Sequence, residues 1–541
     1  MKKTVTALLA LLLLTGCGVR KVPDVTFPET ISLDVAVTET TAATTEPTAE
    51  PTGETTQPPE AEPESIAPRT ISEIPYESWF DSVTEIQLSD EGILVDGGEE
   101  TDAVYTSYDI IYYNDVHYYE SGNLYGEGTE EDWHSAEEAG NHMVVNITEP
   151  GAYQVSGTLS AGQICIDLGE DAYYDEDAVV ELILEDADIT CTVAPAILFL
   201  NTYECDSDWS AETAQAEVDT SYAGANLILE GNNFITGSYV PKIYKDTDEQ
   251  KKLWKQDGAI YSYMSMNVYG PGSLELIADN EGLDTELHLT INGGDITIYS
   301  GNDGINTNED GVSVTTINGS NLTIFAGLGE EGDGIDSNGY LVINGGNVVA
   351  AANPRGDAGL DSDLGSYING GTVVAMGSTM DWAESDSEQV TLNLQFAQEQ
   401  EAGSKITVVK EDGTEIFSFE SDSEYAREYC GLILSHTSFQ QDETYHIYID
   451  GEQMAFTGTD MRRGGRGGWI NRGERPTLPE GETWPEEGSQ RPEGWENMTP
   501  PDDIMPEDGF GGRGSATNSG GPSTEFYMND NVNAFSGVTT A

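Results

Sequence analysis

Basic side chains are scarce in this sequence: its 541 residues hold 21 Lys and Arg against 98 Asp and Glu, which gives a formal net charge of −77. Proteins that bind nucleic acid neutralise phosphates with Lys and Arg, so this balance excludes an ordinary nucleic-acid-binding function. The same excess of carboxylates keeps the chain soluble but makes the compact state repel itself. Bound divalent cations would relieve that repulsion, and a plain solvated acidic surface is the alternative explanation.

Cysteine and histidine are scarce as well, with 5 Cys and 6 His in the chain. So few cysteines cannot staple a chain of this length into a disulfide scaffold. Cys165 and Cys191 lie 26 residues apart, so they either stack on adjacent turns of a repeat as small core residues or form a bridge, and stacking is the favoured interpretation. Because the sequence has no CxxC pair and His288 is the single His of the repeat region, a zinc site is not expected.

Long apolar stretches are missing after the first residues, so no transmembrane helix is expected later in the chain. The N-terminus combines two lysines with an apolar run at 5–14, which is typical of a signal peptide. The run ends in Leu14-Thr15-Gly16-Cys17, which resembles the lipobox of bacterial lipoproteins. We therefore predict lipidation of Cys17 and anchoring at the extracellular face of the cell membrane, with a plain secretory signal as the alternative.

The dominant positive feature is an imperfect repeat between residues 257 and 378. An Asn-Gly turn recurs with its Asn at positions 292, 318, 344 and 369, which are spaced 26, 26 and 25 residues apart. A second element recurs between these turns, as in Asp333-Gly334-Ile335-Asp336-Ser337. Self-similarity at this period is typical of a solenoid, in which each repeat buries its apolar face against its neighbours.

Short β-rich runs separated by Gly, Asn and Asp fill the repeat, and few windows show helical periodicity. A turn of roughly 22–30 residues predicts an all-β chain built on a right-handed parallel β-helix with about three short strands per turn. Alternation predicts stacked aliphatic ladders in the core. The residues expected to point inward are Ile296, Ile298, Leu322, Ile324 and Val348. The Asn side chains of the turns are predicted to stack and hydrogen-bond along the ladder, which is a structural role.

Composition and periodicity divide the chain into segments. A Thr/Pro/Glu-rich stretch cannot build a core and predicts a disordered stalk, and a Gly/Pro-rich stretch near the C-terminus is expected to be disordered too. After the repeat, a different alternation predicts a small antiparallel β module that caps the solenoid. The expected segments are a signal peptide (1–17), the stalk (18–69), an N-terminal β-rich cap (70–139), the parallel β-helix domain (140–380), the antiparallel β module (381–460), the Gly/Pro-rich segment (461–522) and a C-terminal strand (523–541).

The order of these motifs resembles a bacterial β-helix carbohydrate-binding family, which includes a clostridial cellulose- and pectin-binding surface lipoprotein. The resemblance begins in the stretch 147–159, continues through 180–190 and the two kinds of repeated turn, and covers about residues 140–378. It implies a fold similar to that of pectate lyases, bound calcium, and binding of polysaccharide rather than cleavage. No single residue is diagnostic, because the specificity lies in the order of the motifs.

Carboxylates that recur in register on neighbouring strands stand about 4.8 Å apart. At that spacing bare carboxylates repel each other strongly in a partly buried setting. The resemblance implies that bound calcium neutralises this repulsion, since Ca²⁺ takes six to eight oxygen ligands and tolerates irregular geometry. The alternative is that these Asp and Asn residues only cap turns. The predicted Ca²⁺ ligands are Asp284, Asp303, Asn306, Asp333, Asp336, Asp357, Asp361 and Asp363.

The basic residues do not favour an enzyme. A β-elimination needs a base, usually Lys or Arg, and cations that neutralise the uronate, yet Arg355 is the only basic residue between positions 256 and 404. A hydrolase of the pectin-degrading type would combine clustered Asp residues with a His and a basic motif, and His288 lies in no Gly-His-Gly context. We therefore expect no catalytic residues, with a polysaccharide lyase or hydrolase as the alternative.

Together these features predict a cell-surface lipoprotein that binds polysaccharide, either cellulose or acidic sugars such as pectin, through a calcium-stabilised β-helix and without cleavage. A surface adhesin or structural protein is a further alternative. Polysaccharide is the expected partner, nucleic acid is not, and the membrane is reached through the lipid at Cys17. Trp254, Trp382 and Tyr299 are candidate sugar platforms, but aromatic residues near strands more often belong to a core or cap, so no sugar-contacting residue is assigned.

Overall fold

The computed structural model describes residues 76–113, 132–206, 210–243, 254–378, 381–421, 423–459 and 522–541, all of which belong to the unit Pro63–Ala541. The predicted signal peptide, the lipidation site Cys17, the stalk and nearly all of the predicted Gly/Pro-rich segment lie outside the described residues. Within the described part of the chain, no helix is both long enough and apolar enough to cross a membrane.

Secondary structure in the described residues is almost entirely β. Besides strands, these residues form one short α-helix, α1 (Ala136–Ala139), and one 3-10 turn at Ala172–Tyr174. The side chain of Ser135 caps α1 by accepting a hydrogen bond from the Glu138 N–H at 3.1 Å. The prediction of an all-β chain is therefore confirmed.

The strands that precede the repeat form two sets of mostly parallel pairs and one separate antiparallel pair, which joins the last two of them. They are β1 (Val83–Leu88), β2 (Leu94–Val95), β3 (Val104–Ser107), β4 (Met143–Ile147), β5 (Gly151–Leu159), β6 (Gly162–Asp167), β7 (Val180–Cys191), β8 (Ile197–Asn201), β9 (Ala225–Glu230), β10 (Asn232–Gly237), β11 (Val240–Ile243) and β12 (Trp254–Gln256). In one set β4 pairs with β6 and β6 with β8. In the other β1 pairs with β5, β5 with β7, and β7 with both β9 and β10. At the edge of the first set, β3 pairs antiparallel with β4.

The repeat contributes three strands per turn. Its strands are β13 (Gly258–Ser262), β14 (Met266–Tyr269), β15 (Ser273–Ala278), β16 (Glu281–Thr285), β17 (Leu289–Ile291), β18 (Asp295–Ser300), β19 (Ile305–Thr307), β20 (Val314–Ile317), β21 (Asn321–Phe325), β22 (Ile335–Ser337), β23 (Tyr340–Ile343), β24 (Asn347–Ala351), β25 (Leu360–Ser362), β26 (Gly365–Ile368) and β27 (Thr372–Gly377). Three parallel ladders run in register through β16–β19–β22–β25, β17–β20–β23–β26 and β18–β21–β24–β27. Equivalent residues of successive repeats therefore lie beside one another.

The aliphatic ladders lie where the alternation predicted them. Ile296 pairs with Leu322 and Leu322 with Val348, while Ile298 pairs with Ile324. All five side chains are fully buried and belong to one hydrophobic cluster that also takes in the earlier strands. Burying a side chain of this size stabilises the folded state by about 1.5–3 kcal/mol, so the ladder supplies a continuous driving force for stacking.

The Asn residues of the turns form a hydrogen-bonded amide ladder, as predicted. Asn318 Nδ2 donates to Asn292 Oδ1 at 2.9 Å, Asn344 Nδ2 to Asn318 Oδ1 at 2.9 Å, and Asn369 Nδ2 to Asn344 Oδ1 at 3.0 Å. The backbone N–H of Glu388 closes the ladder by donating to Asn369 Oδ1 at 3.2 Å. The second Gly of the turn is required by the backbone, since Gly294, Gly346 and Gly371 have φ values of 96°, 85° and 85°.

The expected stacking of Cys165 on Cys191 is wrong. Both thiols are free, so no bridge forms either. Cys165 pairs with Asn146 and Leu198 in the first set of strands, while Cys191 pairs with Gly237 in the second. The reason is that turns before the repeat are irregular in length: the register neighbour of Cys165 on β8 is Leu198, 33 residues later, so a spacing of 26 residues does not correspond to one turn there.

Pairing changes from parallel to antiparallel after β27. The C-terminal strands are β28 (Thr391–Gln400), β29 (Ile406–Lys410), β30 (Glu415–Phe419), β31 (Tyr429–Ser435), β32 (Thr444–Ile449), β33 (Glu452–Ala455), β34 (Phe526–Tyr527) and β35 (Val532–Thr540). Antiparallel β31 covers the edge of β27 and also pairs with β28, and β35 lies parallel to β28. These strands have their own hydrophobic cluster, which includes Leu392, Ile406 and Phe526. The last repeat therefore does not present an open sheet edge at β27.

Candidate metal-binding site

The ladder β16–β19–β22–β25 brings four of the predicted ligands into one column. Asp284 pairs with Asn306, Asn306 with Asp336, and Asp336 with Asp361. We call these four residues the Asp column. Asp284 and Asn306 are buried, and Asp336 and Asp361 are half-buried. Parallel strands are about 4.8 Å apart, so each carboxylate of the column has another acid or amide as its neighbour.

A second column of acids runs beside the first, three residues earlier in each repeat. Glu281, Asp303 and Asp333 each precede the glycine of their repeat and are buried. We call these three residues the pre-glycine column. The glycines allow the turns to approach closely: a Cβ at Gly304 would lie 2.2 Å from Cγ2 of Ile324, and one at Gly334 would lie 2.4 Å from the Gly359 carbonyl oxygen. In the next repeat Ala358 takes the place of the acid, so the column ends there.

Backbone amides satisfy part of this charge. The N–H of Asp333 donates to Asp303 Oδ1 at 2.6 Å, and the N–H of Ala358 donates to Asp333 Oδ1. Asp357 lies in the adjoining turn, where its Oδ2 accepts from the Gly332 N–H at 3.0 Å. Hydrogen bonds of this kind stabilise a carboxylate, but those named here satisfy single oxygens of each group.

Several buried oxygens of the two columns have no hydrogen-bond partner. They are Glu281 Oε2, Asp284 Oδ2 and Asn306 Oδ1. An unsatisfied buried acceptor is costly, so these oxygens of the adjacent strands β16 and β19 are available to a proton shared between the two acids or to a cation. Carboxylate oxygens of Asp257, Glu281 and Asp284 lie within 4.8 Å of one another. An all-oxygen donor set of this kind fits Ca²⁺ and does not fit Zn²⁺, which prefers Cys and His.

Lys255 lies at the end of the Asp column near Asp284. Its Nζ lies 2.9 Å from Asp257 Oδ2 and donates to Asn308 Oδ1 at 2.6 Å, and Asn308 Nδ2 in turn donates to Asp284 Oδ1 at 2.6 Å. Burial by itself lowers the pKa of Lys255, but the surrounding carboxylates outweigh burial and raise the pKa well above its ordinary value. Lys255 is therefore held protonated, as a counter-ion for one end of the cluster.

The buried carboxyl groups of the two columns resist ionisation. Burial raises the pKa of Asp284, Asp303 and Asp333 well above the ordinary range, and neighbouring carboxylates raise it further. Burial and the charges of Asp361, Glu281 and Asp363 raise the pKa of Asp336 to about 7. Burial likewise raises the pKa of Asp257 to about 7, although Lys255 opposes the shift. A cation at the columns would oppose these shifts, because it favours the ionised form of each carboxyl group.

The structure brings six of the eight predicted ligands together in the columns and leaves two outside them. The six are Asp284, Asn306, Asp336, Asp361, Asp303 and Asp333. Asp357 is engaged by the adjoining turn and Asp363 is exposed two residues beyond the Asp column. Sequence reasoning missed Glu281 and Asp257, although each precedes a glycine as Asp303 and Asp333 do. Nothing in the sequence indicated Lys255, which precedes the repeat.

Trp382, Tyr299 and His288 have structural partners. Trp382 packs against the main hydrophobic cluster, and Tyr299 is half-buried, with its ring 5.6 Å from that of Phe325. Trp254 begins β12. His288 is buried; its Nδ1 accepts from the Val314 N–H at 3.1 Å, so Nε2 carries the proton and lies 3.2 Å from Asp206 Oδ2. With both ring nitrogens engaged, His288 is not free to bind a metal.

A family model for carbohydrate-binding domain-containing proteins matches residues 141–412. The matched range includes the strands from β4 onward through the repeat, both acidic columns, the amide ladder and the first strands of the antiparallel region.

A protein of Acetivibrio thermocellus named carbohydrate-binding domain-containing protein is 32% identical to the chain over 155 residues. The match covers 28% of the chain and spans 44% of the relative's length. A solved structure described as a polysaccharide lyase-like protein from C. thermocellum, in a gadolinium derivative, is also similar; it has 21% identity and a TM-score of 0.30 and covers 54% of this chain and 94% of the solved one. A TM-score this low carries no conclusion about fold or activity. On the family match, the chain belongs to the carbohydrate-binding domain-containing protein family.

Proposed function

We propose that this protein binds polysaccharide without cleaving it, through a parallel β-helix that calcium stabilises. The observation that carries the proposal is the family match over residues 141–412, which coincides with the stacked repeat and its two acidic columns. The proposed ligands are cellulose and acidic sugars such as pectin.

Three parallel ladders, each taking one strand from every repeat, support the β-helix. A right-handed coil of this kind would place the ladders around one aliphatic core. It would also present long rows of equivalent side chains, which suit a polymer ligand.

Calcium is proposed at the two columns because they offer oxygen donors alone and leave buried acceptors unsatisfied. Glu281, Asp284 and Asn306 would hold the ion at one end, and Asp303, Asp333 and Asp336 would serve further along. A bound cation would offset carboxylate repulsion within the fold. Bound Ca²⁺ could also link the anionic protein to an anionic sugar, which direct Coulomb interaction would repel.

Attachment to the cell surface is proposed from the sequence alone. Cys17 would carry the lipid, and the Thr/Pro/Glu stalk would hold the folded part away from the membrane. Labelling of cells with a fatty-acid analogue tests this point: the wild-type chain should be labelled, and the Cys17→Ala variant should not.

The decisive experiment is retention of the full chain on insoluble cellulose, xylan and calcium pectate, with and without a chelator. We expect pectate binding to disappear with chelator and cellulose binding to weaken only as far as the fold is weakened. Retention on none of these materials would favour the adhesin or structural alternative. Sustained formation of unsaturated product from polygalacturonate, lost in an Arg355→Ala variant, would replace the proposal with a lyase.

A further inference from the structure

Two large aromatic side chains meet at the surface outside the acidic columns. Trp79 is 47% exposed and Tyr222 is 61% exposed. Their ring centroids are 5.8 Å apart and the ring planes are inclined at 83°. The two residues are 143 positions apart in the sequence, so the fold brings them together. We call this pair the aromatic corner.

A buried carboxylate holds the Trp79 side of the corner. Glu181, on β7, is 0% exposed, and its Oε1 accepts from the Trp79 N–H at 2.6 Å. Its Oε2 accepts from the Ser78 hydroxyl at 2.7 Å. Burial of a carboxylate costs several kcal/mol unless hydrogen bonds compensate it, and here the segment of the exposed Trp supplies two of them.

A buried polar network holds the Tyr222 side. Thr220 is 4% exposed, and its hydroxyl lies 2.7 Å from Asn267 Oδ1. Asn267 Nδ2 donates back to the Thr220 carbonyl at 2.8 Å and to Asn226 Oδ1 at 3.0 Å. Both rings therefore project from backbone that buried side chains fix, so the cost of ordering them is met before any ligand binds.

We propose that Trp79 and Tyr222 form a binding site for an uncharged pyranose polymer, an inference that rests on the proposed polysaccharide-binding function. The C–H face of a pyranose packs on an aromatic ring as other apolar surfaces do. Two rings near a right angle would contact a sugar on its face and its edge.

The surrounding charge selects an uncharged sugar. Glu77 and Asp81 flank Trp79 and are exposed, and no Lys or Arg occurs between positions 76 and 113 or between 210 and 241. Carboxylates accept hydrogen bonds from sugar hydroxyls but repel a uronate. The corner therefore differs from the acidic columns in needing no calcium for its ligand.

Tyr174 provides a matched control. It is 77% exposed, and its ring lies 4.7 Å from that of Tyr173 at 72°. That pair arises from neighbouring residues in one 3-10 turn, whereas the corner is assembled from distant segments.

The test is affinity electrophoresis of the full chain through gels that contain a soluble neutral β-glucan, with thermal unfolding as the check on folding. Trp79→Ala should weaken retention about tenfold, which corresponds to about 1.4 kcal/mol, Tyr222→Ala by a smaller factor, and Tyr174→Ala not at all. Trp79→Phe should retain part of the binding. Glu181→Gln should weaken binding although Trp79 is still present, because Glu181 is a positioning residue that holds the Trp79 backbone through its carboxylate.

If the Trp79→Ala and Tyr222→Ala variants are both retained as strongly as the wild-type protein, the aromatic corner is not a binding site, and the proposed function still stands. The same conclusion follows if the wild-type protein binds calcium pectate but no neutral glucan. A wild-type protein that binds neither would instead overturn the proposed function. Equal losses in Trp79→Ala and Tyr174→Ala at unchanged unfolding temperature would count against a specific site.

Discussion

The amide ladder and the Asp column are built by the same repeat and differ in what their side chains can do. An amide both donates and accepts, so Asn292, Asn318, Asn344 and Asn369 satisfy one another in a chain. An ionised carboxylate only accepts, so a neighbouring carboxylate cannot satisfy it, and Asp336 and Asp361 place two acids on adjacent strands. The same repeat thus yields an amide ladder whose members bond one another and an acid ladder whose members cannot do so while ionised.

Of the changes in ligand or sequence that test this comparison, calcium removal should have the largest effect on stability. An ion that binds only the folded state stabilises it by about 2.7 kcal/mol at a concentration about a hundred times its Kd. We therefore expect the unfolding temperature to fall by several degrees in chelator and to recover when Ca²⁺ is restored, measured by scanning calorimetry. If metal-free protein, verified by elemental analysis, unfolds at the same temperature as protein with Ca²⁺, the columns are only turn caps.

The pH dependence of the metal-free protein follows from the raised pKa values. The folded-state pKa of Asp336 and of Asp257 is about 7, above the usual unfolded value. The folded state therefore binds more protons than the unfolded one between those values. The stability that protonation supplies is complete below about pH 4 and is lost as pH rises through about 7, by up to about 1.4 kcal/mol per pH unit for each group.

Urea unfolding in chelator at pH 5, 6, 7 and 8 measures this dependence. We expect the midpoint to fall by an amount equivalent to up to about 5 kcal/mol across the series, since each of the two groups loses up to about 1.4 kcal/mol per unit between pH 5 and 7, and we expect Ca²⁺ to flatten the decline. A midpoint that rises with pH would contradict the assignment of these acids as uncompensated.

When an acid of the Asp column is replaced by the amide found in the other ladder, the resulting change in stability should have opposite signs with and without calcium. Asp336→Asn removes one charge from the column, so we expect it to stabilise the metal-free protein by about 1–2 kcal/mol and to destabilise the calcium-loaded protein by a similar amount. Glu411→Gln, at an exposed position in the turn between β29 and β30, is the control and should move neither value by more than about 0.5 kcal/mol. The same sign in both conditions would count against a metal at this position.

The reverse replacement in the amide ladder should have the smallest effect. Asn344→Asp loses the bond that Asn344 donates to Asn318 and keeps an acceptor for Asn369. Because Asn344 is exposed, we expect a cost of about 1 kcal/mol, and the cost should be the same with Ca²⁺ and with chelator. A cost that Ca²⁺ abolishes would show that the amide ladder also lies near a bound ion.

The repeated motifs were sufficient to predict the register of the repeat, but residue spacing did not predict the register before it. The Asn spacings of 26, 26 and 25 residues predicted which amides share a ladder, and the recurring Gly-x-Asp or Gly-x-Asn motif predicted which residues form the Asp column, although these lie 22, 30 and 25 residues apart. The same reasoning failed for Cys165 and Cys191, because turn lengths vary before the repeat and the two thiols belong to different sheets. A repeated turn motif therefore predicts neighbours even where the number of residues per turn varies, whereas a residue count without such a motif does not.

The sequence by itself determined the all-β class, the aliphatic ladders and the in-register acids, because a repeat of nearly constant length can bury its apolar residues only by stacking. Tertiary structure alone decided which further residues join the acidic columns and which form the aromatic corner. Lys255 joins the column through Asn308, and Trp79 meets Tyr222 through the buried anchors Glu181 and Thr220. Contacts of this kind depend on where irregular segments cross the regular ladders, and no local pattern records that position.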